Sequence, residues 1–286
     1  MMTPRCPLCQ DSEVVLRYAL RQKNIWRCPP CRILFADSVP GEESLKTRYE
    51  EAAPEFEFKY FESFKDLRAR SFKRGLQTLR DFVKPGLLLD IGTGLGFFLV
   101  EAQRSGWEAE GLEGSEKVAR HARKVLKLSV RAGSVEEASS GGKRYRVVTL
   151  WDVLEHLPDP KGTLCQIRSF LEEKGMVIIR TPIYDSLIPA VLAFFYRVSG
   201  GRIRFGLEKI FEEHLFHFSE QGLRLLLGRC GFRAVCAYRE DYIDPGALRR
   251  KEWARNPFIR WGALLLIAAS HILRRQDEVV MYAQPL

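Results

Sequence analysis

Apolar and polar positions follow three rhythms along the 286-residue chain. Between residues 42 and 83, Phe61, Phe64, Leu67, Phe72, Leu76, Leu79 and Val83 recur near every 3.6 positions, with Lys65, Arg68, Arg70, Lys73 and Arg74 between them. That spacing predicts helix. From 86 to 183, short apolar runs alternate with helical patterns. Leu87–Ile91 reads as a strand, followed by a glycine-rich turn and a helix over Phe97–Ser105 that Gly106 closes. Trp107–Glu113 reads as a second strand, with Ser115 capping the next helix. Val130 marks a third strand, Arg146–Trp151 a fourth, Thr163–Glu173 a helix and Met176–Arg180 a fifth strand. Past residue 184 the pattern predicts a helix at Gln221–Arg229 and strands at Phe232–Arg239 and Asp277–Ala283. The alternation makes an α/β fold, a doubly wound sheet with helices on both faces.

Hydrophobic residues at 46% and charged residues at 28% exclude a disordered or fibrous chain. The net charge of +9 fits an anionic partner, whether nucleic acid, acidic lipid or phosphorylated substrate. Residues 186–275 hold 15 Lys and Arg against 8 Asp and Glu, so most of the excess sits there. The first 30 residues show no secretory pattern, and the apolar run Trp261–Leu273 is too short to span a bilayer. The expected location is the cytoplasm, with the inner membrane face as an alternative.

Cys6, Cys9, Cys28 and Cys31 form two CxxC pairs separated by 18 residues. Such pairs offer four thiolates to a tetrahedral Zn²⁺, and a closed four-sulfur site is structural. The domain plan is therefore a zinc ribbon over 1–38, a helical connector over 39–84 and an α/β domain over 85–286. Insertions near 184–213 and 242–275 would form lids.

The first strand runs into Asp90, Ile91, Gly92, Thr93, Gly94, Leu95, Gly96 and Phe97. Glycines let the backbone turn sharply and approach a ligand. The spacing is GxGxG, not the GxGxxG of dinucleotide sites. A carboxylate at Asp90 would repel a pyrophosphate but accept hydrogen bonds from an ammonium group. Glu113 ends the second strand, where an acid can take both ribose hydroxyls.

This combination resembles the class I S-adenosylmethionine-dependent methyltransferases over roughly residues 60–284, which implies a Rossmann-like sheet of seven strands. The resemblance makes Asp90, Gly92, Thr93, Gly94, Gly96, Phe97 and Asp152 cofactor contacts, Glu113 and Gly114 the ribose site, and Ser134 and Val135 neighbours of the adenine. The family usually has Asp where Ser134 stands.

After the fourth strand come Trp151, Asp152, Val153, Leu154, Glu155, His156, Leu157, Pro158, Asp159 and Pro160. No Asn/Asp-Pro-Pro-Tyr motif of base-amino methyltransferases is present. The run is similar to small-molecule methyltransferases, including the ubiquinone-biosynthesis O-methyltransferases. Glu213, His214, His217, Phe218 and Ser219, then Gly231 and Phe232, extend the likeness. With the cysteines, it resembles zinc-ribbon methyltransferases of natural-product, sugar and surface-glycan pathways.

If helical, Asp152, Glu155 and His156 share one face. Three readings stay open. The trio holds a divalent metal such as Mg²⁺ near an acceptor hydroxyl, as a similar set does in the quinone enzymes. His156 is a general base. Or the residues cap and anchor a helix. His214 is a second base, a pocket wall or a structural residue. Leu187–Val198 and Phe258–Leu273, with basic flanks, are lid helices, an interfacial pair on an anionic membrane, or a dimer contact.

The leading expectation is methyl transfer from S-adenosylmethionine to an oxygen or carbon of a small-molecule, sugar or lipid-linked acceptor. The alternatives are an RNA methyltransferase, though no aromatic–basic RNA platform is visible, and a silent zinc- and cofactor-binding module. The oligomeric state stays open.

Overall fold

The computed structural model describes residues 3–37, 68–140, 142–211, 214–241 and 257–286. The connector before residue 68, Glu213 and the insertion over 242–256 lie outside these.

The chain opens with three short strands, β1 (Val15–Ala19), β2 (Asn24–Cys28) and β3 (Ile33–Ala36), and helix α1 over residues 68–79. The α/β alternation follows: β4 (Leu87–Ile91), α2 (Phe97–Arg104), β5 (Glu108–Glu113), α3 (Glu116–Leu126), β6 (Val130–Ala132), α4 (Val135–Ser140) and β7 (Tyr145–Trp151). A 3₁₀ turn (Leu154–His156), α5 (Pro160–Phe170) and β8 (Leu171–Pro182) complete the central sheet. Next come α6 (Leu187–Val198), α7 (Phe205–Phe211), β9 (Phe216–Phe218), α8 (Glu220–Arg229), β10 (Phe232–Glu240), α9 (Pro257–Ile272) and β11 (Glu278–Pro285).

Seven strands form one sheet in the order β10-β11-β8-β7-β4-β5-β6. β4 to β8 run parallel, and β11 inserts antiparallel between β8 and β10. The order reverses at β4, which pairs β5 on one side and β7 on the other. Ligands of open α/β sheets bind outside the strand ends at such a switch point.

The largest departures from the sequence expectation lie at α5 and β8, other boundaries past residue 86 shifting by one or two residues. Helix α5 starts at Pro160, not Thr163, because Asp159 caps it by accepting from the Gly162 amide at 2.8 Å and proline suits the first helical position. β8 begins at Leu171, where a helix was expected to continue to Glu173.

Strand alternation divides the core between the sheet's faces. Leu89, Val148, Val177 and Ile179 belong to one cluster. Leu88, Val147, Ile178 and Tyr282 pack with Phe72, Leu76 and Leu79 of α1 on the other. The N-terminal strands make a second sheet, β1-β2-β3-β9, whose last strand comes from the far part of the chain. β3 is buried on both sides: Ile33 and Phe35 join the first cluster, while Leu34 and Ala36 join Tyr18, Leu207 and Phe211 in a third.

Candidate active site

The turn after β4 depends on glycine. Gly92, Gly94 and Gly96 have φ of 66°, 54° and 83°, in the left-handed region that side chains disfavour. A Cβ on Gly92 would lie 2.5 Å from the Val153 side chain. The turn is stitched to the end of β5: the Gly92 and Thr93 amides donate to the Leu112 carbonyl, and the Gly94 and Ser115 amides donate to the Glu113 carboxylate at 2.8 and 3.1 Å. Asp90 is 2 % exposed and accepts from the Thr149 hydroxyl at 2.6 Å. Burial pushes its carboxyl up to about 7 against the Thr149 and Thr93 hydrogen bonds. Burial also raises Glu113, opposed by its amide donors. Phe97 starts α2, Gly114 lies between Glu113 and the α3 cap Ser115, and Ser134 and buried Val135 follow β6. All the expected cofactor contacts except Asp152 thus lie at or just after the carboxyl ends of β4, β5 and β6.

Beyond β7 the structure corrects the sequence. Asp152 is not helical: its φ is 57°, and only Leu154–His156 make a 3₁₀ turn. No shared helical face forms. Arg68 holds the Asp152 carboxylate at 2.7 Å and Arg180 at 2.5 Å. The group that does converge is Glu155, His156 and His214, whose ligand atoms all lie within 4.8 Å of one another. The His156 and His214 ring centroids are 4.7 Å apart, and His217 lies 5.4 Å beyond His214. Glu155 is fully buried and accepts from the Thr181 hydroxyl at 2.9 Å, and burial pushes its carboxyl up to about 8. Burial drives His214 down to about 3, helped by His156 and Lys23, and His217 well below its ordinary value. Both imidazoles are therefore neutral at physiological pH. Glu155 Oε1 and His214 Nδ1 have no hydrogen-bond partner among the described residues.

The same edge holds an ionic cluster that the sequence reading missed. Arg180, 2 % exposed, pairs with Asp152, Glu240 and Glu278 at 2.5, 2.5 and 3.0 Å. The signal was present: Arg180 interrupts the apolar run of β8, and Glu278 heads that of β11.

The four N-terminal cysteines converge as expected. Cys6 and Cys31 Sγ are 3.9 Å apart, and Cys9 and Cys28 Sγ 3.6 Å. Tetrahedral Zn²⁺ with ~2.3 Å bonds needs sulfurs about 3.8 Å apart, so the residues fit the ion. The Arg229 guanidinium donates to Cys31 Sγ at 3.0 Å, which adds a cation beside the sulfurs.

A family model described as a methyltransferase domain matches residues 62–237, more than half of the chain. The chain belongs to the methyltransferase-domain family. Two curated relatives are ubiquinone biosynthesis O-methyltransferases. That of Bordetella avium is 29% identical over 134 residues, covering 45% of this chain and 54% of the relative. That of Ruegeria pomeroyi is 36% identical over 119 residues, covering 40% and 47%. The chain thus spans about half the length of the curated relatives it matches. Among solved structures, an S-adenosylmethionine-dependent methyltransferase from Archaeoglobus fulgidus aligns with a TM-score of 0.52 at 20% identity, covering 78% of this chain and 98% of that one. A chain of the Haloferax volcanii complex between the Trm112 methyltransferase activator and a methyltransferase aligns at 0.57 and 18% identity, covering 87% and 99%. These likenesses establish the class I methyltransferase fold.

Both apolar insertions within the described residues are helical. In α6, Leu192, Ala193 and Tyr196 pack on the third cluster, while Phe194, Phe195 and Val198 are exposed. α9 buries Ile267 and exposes Trp261, Leu265 and Ile272. No helix of the described residues is long and apolar enough to cross a membrane.

Proposed function

We propose that this methyltransferase moves the methyl group of S-adenosylmethionine to an oxygen of a small or lipid-linked acceptor held against Glu155, His156 and His214. A carbon acceptor would use the same face. The observation that carries the reading is the acid pair, Asp90 and Glu113, flanking a left-handed glycine turn at the switch point.

When bound, the cofactor supplies an electrophilic methyl group on a sulfonium. Asp90 accepts from its ammonium and Glu113 from its ribose hydroxyls, with Ser134 and Val135 beside the base. Glycines 92, 94 and 96 keep side chains away from the ligand. Methyl transfer is a direct displacement, so holding donor and acceptor in line does much of the work.

Glu155, His156 and His214 supply the acceptor face. A carboxylate and two imidazoles, with Glu155 Oε1 and His214 Nδ1 unpartnered, fit a divalent transition ion better than Mg²⁺, which prefers oxygen ligands. Asp152, committed to Arg68 and Arg180, is not part of that donor set. Such an ion would lower the pKa of an acceptor hydroxyl. His156 is the proton acceptor if no ion binds, since His214 is too weak a base. The exposed faces of α6 and α9, flanked by Arg197, Arg274 and Arg275, favour an acceptor carried at an anionic lipid surface.

The test is methyl-labelled S-adenosylmethionine incubated with pure protein and host lysate, the products being split into nucleic acid, lipid and small polar fractions. Label in the lipid or small polar fraction is expected. Nuclease-sensitive label would replace this reading with an RNA acceptor.

A further inference from the structure

β9 is the strand that links the cysteine ribbon to the acceptor face. It pairs antiparallel with β3: Ile33 opposes Phe218, Leu34 opposes His217 and Phe35 opposes Phe216. The Ala36 amide donates to the Leu215 carbonyl at 3.1 Å, and the Ser219 hydroxyl donates to the Arg32 carbonyl at 2.8 Å. Lys23 of the ribbon donates to the His214 carbonyl at 3.4 Å. The same segment reaches the site directly, because the Leu215 amide donates to the Glu155 carbonyl at 3.0 Å. On its other side β9 has only a bridge to Ile183 and a bond from the Tyr184 amide among the described residues. Without β3, most of its backbone groups would lose their partners.

The ribbon depends on its metal in turn. A span of about 35 residues buries too little apolar surface to hold shape without a cross-link or metal. α8 grips it from below: Arg229 donates to Cys31 Sγ, and a Cβ on Gly222 would lie 2.5 Å from the Arg32 carbonyl oxygen and 2.9 Å from that of Cys31. The polar contacts of the cofactor half lie outside the ribbon, although Ile33 and Phe35 share a core cluster with Leu89 and Leu112. Asp90 and Glu113 take their partners from Thr149, Gly94 and Ser115, none of them in the ribbon.

We propose that the cysteine ribbon is a positioning element for the acceptor half of the site. Its zinc fixes β3, β3 fixes β9, and β9 places His214 against Glu155 and His156, while the cofactor half keeps its shape without the ion. Calling that face the acceptor half rests on the function proposed above.

The test compares full-length protein, zinc-loaded and chelator-treated, by hydrogen exchange and by calorimetric binding of S-adenosylhomocysteine. Zinc removal should speed amide exchange over 214–219 by about tenfold or more, while 87–113 stay protected and nucleoside affinity changes by less than about threefold. Unchanged protection over 214–219 would overturn the proposal, and so would equal loss over 87–113. Gly222→Ala provides a second route with all four cysteines intact. It should keep about one equivalent of zinc yet loosen 214–219, and wild-type exchange there would count against the proposal. If zinc-loaded wild-type protein binds no S-adenosylhomocysteine, the methyltransferase reading fails, and the exchange comparison still decides the role of the ribbon.

Discussion

The Thr149 hydroxyl on β7 donates to the Asp90 carboxylate on β4 across 2.6 Å, in register on adjacent parallel strands. The bond favours the charged carboxylate, and burial opposes it strongly enough to leave Asp90 titrating near 7. An ammonium ligand needs the ionised form. S-adenosylmethionine affinity should therefore fall up to tenfold per pH unit below about 7 and level off above it. Protein without ligand should behave in the opposite sense. A folded-state pKa above the unfolded one gives stability that is present at low pH and lost as pH rises through about 7. Asp90→Asn should bind weakly at every pH, and calorimetry from pH 5.5 to 8.5 checks both slopes. A flat wild-type profile would rule out Asp90 as the ammonium ligand.

Gly92→Ala should damage the same site by geometry. The left-handed backbone costs about 1–2 kcal/mol with a side chain, and the new methyl meets Val153 at 2.5 Å. The chain from Val153 leads straight to Glu155, so relief of the clash displaces the acceptor face too. Expected are a Tm lowered by a few degrees and cofactor binding weakened about tenfold or more. Gly106→Ala, also at positive φ but with open space around its Cβ, should lower stability and leave binding intact.

Arg180 is among the largest fully buried side chains of the described residues and serves three carboxylates. Arg180→Met would take this cation from Glu240 and Glu278 and leave Asp152 only Arg68, at about 3–5 kcal/mol. Burial already holds Glu278 up near 7 and raises Asp152 and Glu240. Without the guanidinium they would rise further and stay neutral to higher pH, so that charge repulsion is felt only on the alkaline side. The destabilisation should therefore be large at pH 8 and much smaller at pH 5. Urea unfolding at the two pH values would show it, and an equal loss at both would mean that packing, not charge, is what Arg180 supplies.

The fold was legible because its signals are local. Short apolar runs, the Ser115 cap and Gly106 each act within a few residues, and the strands of the parallel sheet fall on the predicted runs, β8 extending beyond its own. The glycine turn and its two acids were legible for the same reason. What was not legible depends on distant pairing. Nothing near Asp152 announces Arg68 or Arg180, and a left-handed φ at an Asp leaves no trace in periodicity. His214 meets His156 only because β9 crosses to the ribbon, a contact between segments about 180 residues apart in sequence.

His156 and His214 separate the metal and base readings. If an ion is bound by Glu155, His156 and His214, then His214→Ala and His156→Ala should each lower methyl transfer by a similar factor, roughly 10–100-fold, and chelation of the non-ribbon metal should reproduce the loss. If His156 acts alone as the base, His156→Ala should cost about 10²–10⁴ in rate, and His214→Ala much less. Binding of S-adenosylhomocysteine should be unchanged in both variants, because neither imidazole touches Asp90 or Glu113. Wild-type turnover in both would remove each reading, leaving positioning alone to account for the transfer.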